Sequence, residues 1–343
     1  MSWVEAELRE QPAALRRLLA AESAHAVGLA RQFTDADVRY FLIVSRGSSS
    51  NAARYAQYLL GTRNGYAVSF ATPSLYTLYE SPPRLGGAAA IAISQSGASP
   101  DVVAVLEEAR RQGCPTLAIT NDVSSPLAQA AEWTLPLHAG EERSVAATKT
   151  YLNSIGAVAL LSAALSGDGL EQLAQAPDRV SAQIDRSLED ARAVDAYREA
   201  DGGVVVARGV NYATAFEIAL KIRELSGTAF EPFSAADLLH GPIAALGPGR
   251  PLLLIAPSGP TLESLRAGLP RLRERGAPIV AITDDHALLA EADTPLPLVA
   301  GTPEWLSPLV TVIPGQVTAL RLATLRGGDV DSPPGLTKIT RTR

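Results

Sequence analysis

Lysine is scarce in this chain. Only Lys149, Lys221 and Lys338 are lysine among its 30 basic residues; the other 27 are arginine. A guanidinium keeps its proton in proteins and cannot attack a carbonyl, whereas an amine with a lowered pKa can. The three lysines are therefore candidates for work that arginine cannot do. Lys221 lies four residues after Glu217 and three before Glu224, so one amine and two carboxylates share a helical face. The plainer alternative is a surface helix laced with ion pairs. Leu239-His240-Gly241-Pro242 sets a histidine just before a helix-breaking pair. His25, His138 and His286 show no HxH or HxxxH spacing, and Cys114, alone, allows neither an internal disulfide nor a cysteine cage. No metal and no organic cofactor is expected.

Two turns carry a second chemistry. Ser94-Gln-Ser-Gly-Ala-Ser99 follows an apolar run and precedes a helix that begins near Pro100-Asp101. Gly47 and Ser48-Ser49-Ser50 occupy the same place after the first apolar run. Backbone N–H groups at a helix start, joined by hydroxyls and an amide, suit an anion such as phosphate. Serines in such turns also serve as plain helix caps. Seven polar residues on two strand-end turns favour the phosphate pocket. Neither turn fits GxGxxG or GxxxxGK[ST], so a dinucleotide or nucleoside triphosphate is not expected.

The elements that must position these groups occur twice. Arg39-Tyr-Phe-Leu-Ile-Val-Ser-Arg-Gly47 is matched by Gly203-Val-Val-Val-Ala-Arg-Gly209. Ala88-Ala-Ala-Ile-Ala-Ile-Ser-Gln-Ser-Gly97 is matched by Pro251-Leu-Leu-Leu-Ile-Ala-Pro-Ser-Gly259, and Gly113-Cys-Pro-Thr-Leu-Ala-Ile-Thr120 by Gly276-Ala-Pro-Ile-Val-Ala-Ile-Thr283. Short, continuously apolar strands alternating with amphipathic helices predict an α/β fold. The expectation is two doubly wound, three-layer (α-β-α) parallel-sheet domains related by internal duplication, at 22–170 and 190–328. Glu5 to Glu22 reads as a leading helix, Asp168 to Val194 as a charged helical connector, and 329–343 as a polar, proline-rich tail carrying Lys338.

A formal charge of −6 with no basic stripe argues against a nucleic-acid partner. The longest apolar run, near Gly156 to Leu165, is too short to span a bilayer, and the charged N-terminus has no signal core. The default expectation is a soluble, cytoplasmic protein with no membrane partner.

Taken together, the serine turns, EIALKIRE, the loop ending in LHGP and the tail DVDSPPGLTK resemble the tandem sugar isomerase (SIS) family. The match, in order and over nearly the whole chain, is to the isomerase part of glucosamine-6-phosphate synthases and still more to stand-alone glucosamine-6-phosphate deaminases. The resemblance implies that Ser49, Ser94, Gln95, Ser96 and Ser99 hold a sugar phosphate, that Gly47 and Ser48 belong to the same substrate site, and that Val145 touches the sugar. It implies Glu224 as the base between C1 and C2, His240 as the ring-opening residue in a neighbouring subunit's site, and hence a homodimer. Lys338 would meet the sugar carbonyl from a tail that closes as a lid, with Glu217 and Lys221 lining the pocket. Ala98, Asp237 and Leu239 depart from the synthase pattern, which has glutamate, glutamate and lysine there. The expected reaction is conversion of glucosamine 6-phosphate to fructose 6-phosphate and ammonia, without a glutamine-hydrolysing domain. The alternatives are an aldose–ketose phosphosugar isomerase, a fructosamine-6-phosphate deglycase, or a sugar-phosphate sensor without turnover.

Overall fold

Buried side chains run without interruption along the central strands, as sheets covered on both faces require. The computed structural model describes residues 1–338 and contains two five-stranded, all-parallel sheets. The last five residues of the tail, 339–343, lie outside the described residues. The first sheet comprises β1 (Tyr40–Ser45), β2 (Ala67–Phe70), β3 (Ala88–Ser94), β4 (Thr116–Thr120) and β5 (Trp133–Pro136), in the order β2-β1-β3-β4-β5. The second comprises β6 (Gly202–Ala207), β7 (Ala229–Ser234), β8 (Leu252–Ile255), β9 (Ile279–Thr283) and β10 (Thr294–Pro297). Read from β7, its order is β7-β6-β8-β9-β10, the same topology as the first sheet. The duplication seen as repeated strands is thus a duplication of connectivity.

Alternation of side chains divides the second sheet between two cores. Val205, Ala207, Leu253, Ile255, Val280 and Ile282 face one. Val204, Val206, Leu252, Leu254 and Ile279 face the other. In the first sheet Leu42, Val44, Ala90, Ala92 and Ala118 pack with Val102, Val105 and Leu106 of the helix Pro100–Arg111.

The chain groups into two compact units. One holds the second sheet, residues 1–12 and 143–148; the other holds the first sheet, the helix Lys149–Ser166, and Thr337 and Lys338. The leading helix is longer than the sequence reading, running from Trp3 to Asp35 with Pro12 inside it. Each half ends in an 18-residue apolar helix, Lys149–Ser166 and Pro308–Leu325. The second is the more informative for membrane arguments. Among the described residues it alone is long and apolar enough to cross a bilayer, yet 83% of it is buried within the protein.

Candidate active site

In a parallel sheet of order 2-1-3-4-5, the first and third strands feed helices on opposite faces, and ligands bind beyond their carboxyl ends. Both serine turns stand there. β1 leads through Arg46 into Gly47, whose φ of 55° suits glycine, and Ser48–Ser50 open the helix Ser48–Asn64. β3 leads into Ser94–Ser99, where Gly97 has φ 58° and sits so close to Ser125 that a Cβ would lie 2.1 Å from its Oγ.

The capping alternative can now be judged. Ser99, at the start of the helix Pro100–Arg111, makes no side-chain cap hydrogen bond, and the other helix start, Gly47, has no side chain to make one. Ser125 does cap its helix, accepting from the Ala128 N–H, whereas the helix starts at Asn211 and Thr261 in the second half are uncapped like that at Ser99. Ser94 Oγ accepts from the Gly97 N–H at 3.1 Å and Ser96 Oγ from the Ala98 N–H at 3.4 Å, shaping the turn. Ser48, Ser49, Gln95 and Ser99 are partly exposed, with no side-chain hydrogen bond among the described residues.

The same unit holds Lys338. Its Nζ donates to Glu142 Oε2 at 3.1 Å. That carboxylate is buried and also accepts from Thr150, from N–H at 3.1 Å and from Oγ1 at 2.5 Å. Lys149 is buried at the first position of the helix Lys149–Ser166.

The second unit carries the acid–base cluster. The helix Tyr212–Ser226 follows the Gly209 turn and buries Glu217 and Lys221 completely. Lys221 Nζ lies 3.7 Å from Glu217 Oε1 and also contacts Glu224 Oε2. Glu224 alone of the three reaches solvent, with 24% of its side chain exposed. The predicted common face exists, and it is a buried ion cluster with one accessible carboxylate rather than a solvated stripe. His240 is exposed after the helix Ala235–Leu238 and makes no side-chain hydrogen bond or ion pair among the described residues. Val145 is half-buried; its N–H donates to the Asp331 carbonyl at 3.1 Å. The buried Glu7 carboxylate holds this loop by accepting from Arg143 and Ser144.

The tail is partly built into its surroundings, which its polarity did not foretell. Val330 packs on the core, Pro333 is buried, and Asp331 Oδ1 accepts from the Val4 N–H at 3.0 Å. Asp329 and Ser332 are exposed, and exposure is continuous from Pro334 to Thr337.

The duplicated turns of the second sheet are filled differently. A Cβ on Gly259 would lie 2.5 Å from Glu304 Cγ, and one on Gly209 3.4 Å from Glu304 Oε1. The Glu304 side chain therefore occupies the space between the two turns, and burial pushes its carboxyl above the usual range. A carboxylate there disfavours a second anion. A raised folded-state pKa means stability that is present at low pH and lost as pH rises past the ordinary value near 4.5. Glu304→Gln should therefore melt higher than the unaltered protein at pH 8, with the difference vanishing below that value. A melting difference independent of pH would contradict the burial of this carboxyl.

Comparison with known proteins places this geometry. The SIS domain model matches residues 33–164 and again 197–326. The glutamine–fructose-6-phosphate aminotransferase (isomerizing) of Thermus thermophilus is 32% identical over 97% of this chain and 57% of its own length. The chain thus spans about half the length of the curated relatives it matches. A Silicibacter pomeroyi protein solved as a candidate phosphosugar isomerase superimposes with a TM-score of 0.86 at 30% identity, covering 96% of this chain and 99% of that one. A glucosamine-6-phosphate deaminase from Thermotoga maritima shares the fold, with a TM-score of 0.83 at 20% identity over 99% of this chain and all of the other. With the domain matched twice over most of its length, the chain belongs to the SIS domain family.

Proposed function

We propose that this protein is a phosphosugar isomerase acting on amino sugars, which converts glucosamine 6-phosphate and water to fructose 6-phosphate and ammonia. The observation that carries this reading is the Glu217–Lys221–Glu224 cluster: a buried amine between two carboxylates, one of them open to solvent. That is an arrangement for general-base chemistry at a carbon next to a carbonyl. After His240 assists ring opening, Glu224 takes the C2 proton, giving an enolamine, and returns it to C1, giving a ketimine. Lys338 meets the sugar carbonyl, and water releases ammonia from C2. His240 serves the neighbouring protomer's sugar in a homodimer. The substrate brings its own carbonyl and phosphate handle, so these steps need only the side chains named.

The phosphate is held by Ser48, Ser49, Ser94, Gln95, Ser96 and Ser99, with Gly47 letting the backbone approach. These contacts are equal in ground and transition states, so their loss is a loss of uniform binding. Ser96→Ala and Ser99→Ala should each raise KM for a phosphorylated sugar by about tenfold to a hundredfold, the worth of one hydrogen bond to a charged group, with a smaller change in kcat. An unaltered KM in both would place the phosphate elsewhere.

The substrate assignment is tested by ammonia release from glucosamine, galactosamine and fructosamine 6-phosphates. Release from glucosamine 6-phosphate supports the reading. Release from fructosamine 6-phosphate alone marks a deglycase. Ketose formation without ammonia marks an aldose–ketose isomerase, and tight binding without any product marks a sensor.

A further inference from the structure

The residues assigned above to the phosphate are neutral, whereas a phosphate monoester carries close to two negative charges at pH 7. The loops that follow β1, β2, β3 and β4 at the carboxyl edge of the first sheet, residues 46–50, 71–77, 95–99 and 121–125, contain one basic residue, Arg46. β1 and β3 are paired with Ser45 opposite Ile93, so Arg46 stands level with Ser94 in the next strand. Its guanidinium does not trail into solvent. Nε and Nη2 donate to the same Asp101 oxygen, Oδ2, at 2.8 and 2.6 Å. Asp101 is two residues past Ser99, so the arginine reaches across from one serine turn to the start of the helix behind the other. Asp101 is fully buried, and its second oxygen accepts from the Val102 N–H at 2.9 Å. Half of the Arg46 side chain remains exposed, and Nη1 has no partner among the described residues.

We propose that Arg46 is the cationic anchor of the phosphate, and that Asp101 is a positioning residue that aims it. The inference rests on the phosphosugar reading above and adds the charge which that reading lacked. The pair is a dipole with its carboxylate sealed in the protein and its positive end turned outward. An anion settling on the two turns meets the guanidinium, not the carboxylate, and Nη1 is available to donate to it. The second half of the chain supplies a comparison. Arg208 and Glu263 hold the corresponding sequence positions, but no hydrogen bond or ion pair joins them, and Glu304 fills the space between those turns. The orienting pair is confined to the half whose turns no carboxylate side chain fills.

The test uses titration calorimetry of the full chain with glucosamine 6-phosphate, unphosphorylated glucosamine and inorganic phosphate at two salt concentrations. Arg46→Gln should weaken glucosamine 6-phosphate and phosphate by roughly thirtyfold, the loss of a charge-assisted contact, leave glucosamine unaffected and flatten the salt dependence. Its KM should rise far more than its kcat falls. Asp101→Asn keeps the shape and loosens the arginine, so a smaller loss is expected, and the double variant should be no worse than Arg46→Gln alone. Arg46→Lys keeps the charge but not the fork, and should recover only part of the affinity. If the unaltered protein binds the phosphosugar and Arg46→Gln binds it equally well with the same salt dependence, Arg46 is only a structural partner of Asp101. If Arg46-dependent binding is seen for phosphate but not for glucosamine 6-phosphate, the anchor stands and the substrate assignment falls. Failure of the unaltered protein to bind any of these anions overturns both.

Discussion

Glu224→Gln protein should bind glucosamine 6-phosphate and fail to turn it over. Glutamine matches glutamate in size and can keep a contact with Lys221, so the helix Tyr212–Ser226 is expected to stay intact. What it loses is the ability to take a proton. Glu217 cannot substitute, because it is fully buried on the far side of Lys221, while Glu224 is the member that reaches solvent. The expected loss in kcat is on the order of 10²–10⁴, the usual worth of a positioned general base. Calorimetry on the variant should return a dissociation constant close to that of the unaltered protein. Near-normal turnover would remove Glu224 from the mechanism and leave the buried cluster as a stabilising ion network only.

Lys338→Arg should be nearly as damaging as deleting the residues after Pro334. The substitution keeps the positive charge and its contact with Glu142, since arginine pairs with carboxylates readily. It removes the amine that can attack a carbonyl. A drop of at least about a hundredfold in kcat, close to 2.7 kcal/mol in the barrier, is expected for both proteins. The deletion should cost little stability. The tail's anchored part, through Asp331 and buried Pro333, is retained, and of the described residues removed Gly335, Leu336 and Thr337 are exposed. Lys338 Nζ rests on a buried carboxylate, so the proposed attack on the sugar carbonyl requires it to leave Glu142. Thermal melting and kcat measured on the same two proteins separate folding from catalysis. Normal kcat in Lys338→Arg would make the lysine an electrostatic contact and end its role as an attacking amine.

Local pattern carried the fold a long way and the site less far. Continuous apolar runs such as Ala88–Ser94 and Ile279–Thr283 announce buried parallel strands, and their repetition announces two domains of one design. Strand order is a matter of long-range pairing, so the placement of β1 between β2 and β3 had to come from the structure. The leading helix continues past Glu22 to Asp35, and its buried positions Ala26, Leu29, Ala30 and Phe33 keep helical spacing, so the sequence reading stopped short of a legible signal. Among the site residues, Glu217, Lys221 and Glu224 were legible because helical spacing alone brings them together. The serine turns were legible as polar turns, and absent cap bonds do not single them out, since the helix starts at Asn211 and Thr261 lack them as well. Asp101 with Arg46, Glu142 with Lys338, and Glu304 between two glycines are separated by 45 to 196 residues. No local periodicity links such partners, and each charge taken singly reads as surface.

The central claim is that a proton moves between C1 and C2 of an amino-sugar phosphate. It is tested most directly by proton NMR of glucosamine 6-phosphate incubated with the protein in heavy water. The C2 proton signal of the substrate should disappear while fructose 6-phosphate and ammonium accumulate in equal amounts, with neither change in Glu224→Gln. A spectrum that stays unaltered while calorimetry shows the sugar phosphate bound would contradict it.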